Sequence, residues 1–168
     1  MSIEDLYRQV ILDHYRSPRN RGTIESCDAH GEGHNPLCGD DISLDLTIAD
    51  DTIIDVAING QGCSISQASA SMMSEAIKGK TLPEVEALIR RFKAMMDIEQ
   101  GDAGLDPDRP GSVLGDLEAL QGVRKFPVRI KCAGLAWTTL EEALAARKDP
   151  PMAEEAAEAK TDPTSSFP

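Results

Sequence analysis

The sequence predicts an α+β domain: a β-hairpin with one buried face, preceded and followed in the chain by helices that each show an apolar stripe. Ile42, Leu44, Leu46 and Ile48 alternate with Ser43, Asp45 and Thr47, and after Asp50-Asp51 a second alternation runs through Ile54, Val56 and Ile58. On either side of this hairpin apolar residues recur every three to four positions, the spacing of helices that bury one side. Between two of the later helices, Asp97 to Gly111 holds three Gly, two Pro and a surplus of acids, and reads as a connection.

In chain order, Ile3, Leu6, Tyr7, Val10, Ile11 and His14 define a first helix over about residues 3 to 16, with Ser2 placed to cap it, Glu4 and Asp5 suited to its positive start, and Pro18 to end it. Arg19 to Cys38 is rich in Gly, Asn, His and Asp, and reads as loop with room for one irregular edge strand. Gly60 and Gly62 let the chain turn sharply into a helix at about residues 65 to 78, with Ala68, Met72, Ala76 and Ile77 inward. Thr81 and Glu84 form a capping-box pattern ahead of Val85, Leu88, Ile89, Phe92 and Met96. A short helix carrying Leu114, Leu117 and Leu120 is then stopped by Gly122. Pro127 opens a final helix to about Arg147, with Val128, Leu135, Ala136, Leu140 and Leu144 as its stripe. Residues 1–148 thus make one domain. Residues 149–168 combine four Pro with Ala, Glu, Ser and Thr, and are expected to be a disordered tail.

A chain of 168 residues has the length of one domain with a tail, and buries roughly two thirds of its unfolded surface, enough core to fold without a metal. Aromatic residues are only 4%, so there is no platform on which bases stack, and a net charge of -12 repels phosphate and anionic lipid. Nucleic acid and membrane partners are therefore not expected; basic proteins are. The N-terminus has no basic region followed by an apolar run, and no apolar stretch approaches membrane length, so the expected location is the cytoplasm. Thiols stay reduced there, and four cysteines point to metal or sulfur chemistry rather than disulfides.

Three of the cysteines share glycine-punctuated surroundings: Cys38-Gly39-Asp40, Gly60-Gln61-Gly62-Cys63 and Arg129-Ile130-Lys131-Cys132. They lie 25 and 69 positions apart, so only a folded domain gathers them. Cys38 and Asp40 precede the first hairpin strand and Cys63 follows the second, and antiparallel pairing brings those ends together. Cys132 rides in the opening turns of the last helix. Cys38, Asp40, Cys63 and Cys132 thus read as the ligands of one site, with zinc the first choice of metal, and the carboxylate among three thiolates points to a site able to open. His30 and His34, in the same loop, are alternatives to Asp40. Cys27 reads as a small buried apolar side chain, His14 as a hydrogen-bonding residue at the core's edge, and Met72, Met73, Met95 and Met96 as core filler.

Asp13-His14-Tyr15-x-x-Pro18-Arg19-Asn20, Asn35-Pro36-x-Cys38-Gly39-Asp40, Gly62-Cys63-Ser64-Ile65-Ser66-x-Ala68-Ser69, Lys78-Gly79-Lys80 and Lys131-Cys132-Ala133 together resemble the IscU/NifU-type iron-sulfur assembly proteins. The likeness spans about residues 3 to 147. Within that family it is nearest the SufU branch: scaffold-type relatives carry His immediately before the third Cys, where this chain has Lys131, and lack the extended segment Asp97 to Val123. Leu114 to Val123 and Phe126-Pro127-x-Arg129 also look like that branch. The resemblance implies a compact IscU/SufE-like fold, about three antiparallel strands against a layer of helices. It also implies zinc as cofactor, a SufS-type pyridoxal-phosphate cysteine desulfurase as partner, and a downstream iron-sulfur assembly scaffold.

The implied activity is zinc-dependent sulfur transfer, in which Cys38 takes the sulfane sulfur of the desulfurase persulfide. Full ionisation of a thiol of pKa about 8.5 gains about thirtyfold in thiolate at neutral pH, but nucleophilicity falls by roughly half a log unit per pKa unit lost. Metal binding alone therefore does not make Cys38 a good acceptor. The family precedent is a desulfurase histidine that replaces Cys38 on zinc, leaving Asp40, Cys63 and Cys132 to retain the metal and Arg129 to hold the freed thiolate or orient the partner. Two alternatives remain: a scaffold that builds a [2Fe-2S] cluster, or binds iron, on the same ligands, and a module whose zinc is only structural.

Overall fold

Ser2 accepts a hydrogen bond from the Asp5 N–H at 3.1 Å and Asp5 reaches back to the Ser2 N–H, a capping box that starts α1 (Ile3–Arg16) in this computed structural model. The structure describes residues 2–148; Met1 and the expected tail, 149–168, lie outside the described residues. After α1 come β1 (Ala29–Asn35), β2 (Asp40–Ala49) and β3 (Thr52–Gln61), an antiparallel sheet in the order β1-β2-β3. Then follow α2 (Ser64–Ile77), α3 (Leu82–Met95), a 3-10 segment (Gly115–Lys125) and α4 (Pro127–Lys148). The architecture is the expected α+β one, a three-stranded antiparallel sheet with helices.

The core lies between the inward face of the sheet and the helices. Ile42, Leu44, Leu46 and Ile48 of β2 all point into it, as the alternation requires. On α4, Ala136, Trp137 and Leu140 are fully buried, and the Trp137 ring stacks on Phe92 of α3 with centroids 4.4 Å apart. Met72, Met73, Met95 and Met96 fill the same core, as expected.

Apart from Ile54 of β3, expected inward but 50% exposed with Ile53 buried in its place, the local differences from the sequence reading are these. First, β1 is a regular strand, in continuous register from Ala29 opposite Leu46 to Asn35 opposite Asp40. Its inward positions are Ala29, Gly31, Gly33 and Asn35, too small or polar to show as a hydrophobic alternation. They are small because α4 lies directly on them: a Cβ on Gly31 would sit 2.9 Å from the Thr139 carbonyl oxygen, and one on Gly33 would collide with Thr139 Oγ1.

Second, α2 is buried nearly all round rather than along one stripe, and its serines are satisfied inside the protein. Ser69 Oγ donates to the Ala133 carbonyl at 2.7 Å and accepts from Trp137 Nε1 at 3.2 Å, while Ser71 Oγ bonds His14 Nδ1 at 2.8 Å and accepts from the Arg19 N–H at 2.9 Å. His14 is fully buried, with Asp116 on its other nitrogen, and plays the hydrogen-bonding role expected of it.

Third, the segment after Leu114 is 3-10 and runs through Gly122 to Lys125. Leu114, Leu117, Leu120 and Val123 fall at every third residue and all are buried, which is the eclipsed spacing of a 3-10 helix. Val128 does not join the α4 stripe: it is 59% exposed on a first turn that projects to the surface.

Candidate metal and sulfur site

The site forms where the β1–β2 turn, the start of α2 and the second turn of α4 meet. Cys38 sits on that turn, its N–H bonded to the Asn35 carbonyl at 3.3 Å. Asp40 begins β2 and is fully buried; its Oδ1 accepts the Cys63 N–H at 2.8 Å, and its Oδ2 lies 3.9 Å from the Cys63 sulfur. Cys63 is the N-cap of α2, and its sulfur accepts the Ser66 N–H at 3.5 Å. Helix geometry thus aims a free backbone donor at this sulfur.

Cys132 is buried on α4 with its sulfur 3.1 Å from that of Cys38. Cys38, Asp40 and Cys132 each offer a donor atom within 4.8 Å of the other two. The structure therefore brings all four expected residues together, Cys63 joining through Asp40. Burial above all, then Cys38, Asp40 and Cys63, pushes the Cys132 thiol far above its ordinary range. A thiol buried among other sulfurs and a carboxylate, as Cys132 is, is poorly disposed to ionise without a compensating cation.

Arg129 is exposed, three residues before Cys132 on α4. Its pKa is raised, chiefly by Cys63 and also by Cys132 and Cys38, with burial acting the other way, so its positive charge lies within electrostatic reach of the three sulfurs.

Two residues named in the sequence only as parts of turns and motifs also build the site. Asn35 is buried; its Nδ2 lies 3.5 Å from Asp40 Oδ2 and 3.8 Å from the Cys132 sulfur, and its Oδ1 accepts the Leu37 N–H at 3.2 Å. One amide thus ties the Cys38 turn to both neighbouring donors. Gly62 is the second: a Cβ there would run into the Asp40 carboxylate and Ser66 Oγ. An Asn just before the Pro of a turn, and a Gly before a helix cap, were the available signals.

The histidine alternatives are not brought to this site. His30 and His34 lie on the outer face of β1, opposite Asp45 and Asp41 of β2 and hydrogen-bonded to them. Lys131 is exposed and lines a groove of about 290 Å³ with His34, Asn35 and Ile98. Cys27 is half-buried, and its thiol donates to Asp45 at 3.8 Å instead of packing as an apolar group.

The donor set fits zinc. Tetrahedral bonds of about 2.0 to 2.3 Å place neighbouring donors roughly 3.3 to 3.8 Å apart. The Cys38–Cys132 and Asp40–Cys63 separations, 3.1 and 3.9 Å, bracket that range.

A small α+β domain that gathers three cysteines and an aspartate at one end of its sheet has the form of an iron-sulfur assembly protein. The chain belongs to the NifU-like N-terminal domain family, whose profile matches residues 6–146. It is 46% identical over 144 residues to the zinc-dependent sulfurtransferase SufU of Bacillus subtilis, covering 86% of this chain and 92% of that one. It is 41% identical over 142 residues to the iron-sulfur cluster assembly scaffold protein IscU of Streptococcus pyogenes, covering 84% of each. A solved structure of a putative assembly scaffold for the SUF system from Fervidobacterium islandicum superposes with a TM-score of 0.72 at 35% identity, over 85% of this chain and 99% of that one. The N-terminal NifU-like protein of Brucella abortus shares the fold, with a TM-score of 0.74 at 22% identity over 88% of this chain and 97% of that one. No described helix is long and apolar enough to cross a membrane.

Proposed function

We propose that this chain is a zinc-dependent sulfur carrier for iron-sulfur cluster assembly. It accepts persulfide sulfur from a pyridoxal-phosphate cysteine desulfurase and passes it towards an assembly scaffold, in the cytoplasm. The observation that supports this most is the approach of the Cys38 sulfur to within 3.1 Å of the buried Cys132 sulfur, beside Asp40, in a relative of a zinc-dependent sulfurtransferase. Cys38, Asp40, Cys63 and Cys132 would hold the metal. Zinc supplies the positive charge that lets three adjacent sulfurs exist as thiolates.

Cys38 is the acceptor because of where it stands. It is half-buried on a turn whose neighbours Leu37 and Gly39 are exposed, whereas Cys132 is enclosed and the Cys63 sulfur is engaged by the Ser66 N–H. The Cys38 thiolate attacks the outer sulfur of the desulfurase persulfide. A new S–S bond forms on Cys38 as the partner's S–S bond breaks, and the electron pair leaves on the partner's cysteine thiolate. No external oxidant or reductant is needed. Arg129, within electrostatic reach of the three sulfurs, offsets the negative charge that the incoming persulfide adds. The chain's charge of -12 favours a partner with a basic docking face.

Native mass spectrometry before and after incubation with a desulfurase and cysteine tests both parts. The expected result is one zinc per chain and one added sulfur, with Cys38→Ala keeping much of the zinc but gaining no sulfur and not stimulating the desulfurase. Normal stimulation by Cys38→Ala would overturn the proposal. The second reading, a [2Fe-2S] scaffold, draws support from the 41% identity to a protein named as a scaffold. It predicts a visible chromophore after anaerobic reconstitution that passes to an apoprotein; tightly held zinc without a cluster favours the carrier.

A further inference from the structure

The outer face of the sheet carries a second group of metal-type donors. His30 of β1 and Asp45 of β2 are direct cross-strand partners, with His30 Nδ1 2.6 Å from Asp45 Oδ1. Cys27, just before β1, places its sulfur 3.8 Å from the same oxygen, and the three donor atoms all lie within 4.8 Å of one another. Asp40 and Asp45 stand five residues apart on one strand, so they point to opposite faces, separated by about 17 Å along β2. This group is therefore distinct from the site described above.

The surroundings hold these donors in place. Asp45 is only 8% exposed, although it lies on the face away from the core. The loop between α1 and β1 passes over it: the Ile24 N–H donates to Asp45 Oδ2 at 2.9 Å, the Asp28 N–H donates to the Leu46 carbonyl, and Asp28 Oδ2 accepts the Ile48 N–H, both at 2.8 Å. Cys27 is thereby fixed between two anchored positions. His30 Nε2 lies 3.0 Å from Glu32 Oε2. A carboxylate on the far nitrogen is the arrangement that orients a ligating imidazole, and it leaves Nδ1 as the donor toward Asp45 and Cys27.

We propose that Cys27, His30 and Asp45 form a second divalent-metal site, of the zinc class, with one thiolate, one imidazole and one carboxylate, and its fourth position open to solvent. A thiolate with an imidazole selects against magnesium and calcium, which take oxygen ligands, and the two negative charges of the ionised set balance a divalent ion. Binding breaks the His30–Asp45 hydrogen bond and releases two protons, the one on His30 Nδ1 that makes that bond and the one on the Cys27 thiol. With one thiolate instead of three, this site is weaker than the one described above.

Cobalt(II) titration of the metal-free full chain, followed by thiolate-to-cobalt charge-transfer absorbance, tests the proposal. Wild type should saturate at two equivalents, the first with the intense band of several thiolates and the second with that of one. Cys27→Ser and His30→Gln should each bind one equivalent and leave the first unchanged. Glu32→Gln should weaken the second by about tenfold or more. Saturation of wild type at one equivalent, or a second equivalent that persists unweakened in Cys27→Ser or His30→Gln, would overturn the second site. Loss of the first equivalent alone would instead count against the proposed carrier. His30→Gln keeps the test decisive should Cys27→Ser fail to fold.

Discussion

The carboxylate of Asp40 accepts the backbone N–H of Cys63 at 2.8 Å, so one candidate ligand caps the backbone of another. The start of β2 and the start of α2 are fixed to each other by this bond before any metal arrives. Asp40→Ala should then damage more than metal binding. It leaves a partly buried backbone donor without its partner, costing about 1 kcal/mol or more in the metal-free protein. Asp40→Asn keeps an acceptor for Cys63 and should be nearly as stable as wild type without metal, yet bind zinc more weakly. Urea unfolding of the metal-free forms, compared with zinc competition against a chelator, separates the two effects. Equal stability of the Ala and Asn variants would refute the capping role.

Gly62→Ala tests the same junction from its other side. The added methyl meets the Asp40 carboxylate and Ser66 Oγ at a φ of +155°, so the carboxylate must move. Overpacking of this kind typically costs about 1 to 3 kcal/mol. Zinc affinity should fall along with stability, whereas Gly39→Ala, at a glycine with open space around it, should affect backbone strain alone. Parallel chelator titrations of the two variants check this; a Gly62→Ala protein with unchanged zinc affinity would contradict it.

How much of this was legible in the sequence depends on how each element announces its inward side. β2 and α3 were readable because Leu44, Leu46, Val85 and Ile89 carry their periodicity in large apolar side chains, whereas on β3 the expected inward Ile54 is exposed and Ile53 is buried in its place. β1 was hidden because closeness to Thr139 demands glycine at Gly31 and Gly33, and glycine leaves no hydrophobic signal. α2 misled by the opposite route: Ser69, Ser71 and Ser74 look like a solvated side but are buried against hydrogen-bond partners from other segments. The four convergent donors were legible because glycine-flanked cysteines at hairpin ends leave few topological choices. Asn35 was not, since its role rests on contacts to Asp40 and to Cys132, 97 positions away, which no local pattern encodes.

Trp137 is the sole tryptophan, fully buried and stacked on Phe92 at an interplanar angle of 12°. Its indole N–H also bonds Ser69 Oγ, so one side chain joins α2, α3 and α4. Trp137→Ala should destabilise the domain by about 3 to 5 kcal/mol, the usual cost of emptying a large core position. Trp137→Phe should lose less, retaining the stack but leaving Ser69 short of one donor. Thermal unfolding followed by circular dichroism measures both, and equal losses would show that the stack contributes little.

The His30–Asp45 pair should give stability a pH dependence with a definite sign. The Asp45 and Glu32 hydrogen bonds raise the His30 pKa, against burial. Burial alone would raise Asp45, but the His30 bond and the Ile24 N–H outweigh it and hold it low. These two shifts describe one interaction and count once. A raised histidine contributes stability that is fully present below its unfolded pKa of about 6.5 and is lost as pH climbs through the higher folded value. A lowered carboxylate contributes stability above about 3.9 that is lost as pH falls through its lower folded value. The pair is therefore strongest between those limits. Asp45, Glu32 and the Cys27 thiol are the groups facing His30, and the domain holds many other ionisable groups, so the informative quantity is wild type minus His30→Gln. In the metal-free protein that difference in urea midpoint should be largest near pH 5 to 6 and shrink by about pH 8 to 9. A difference that stays flat, or grows with rising pH, would show that the outer face of the sheet is not clasped by this pair.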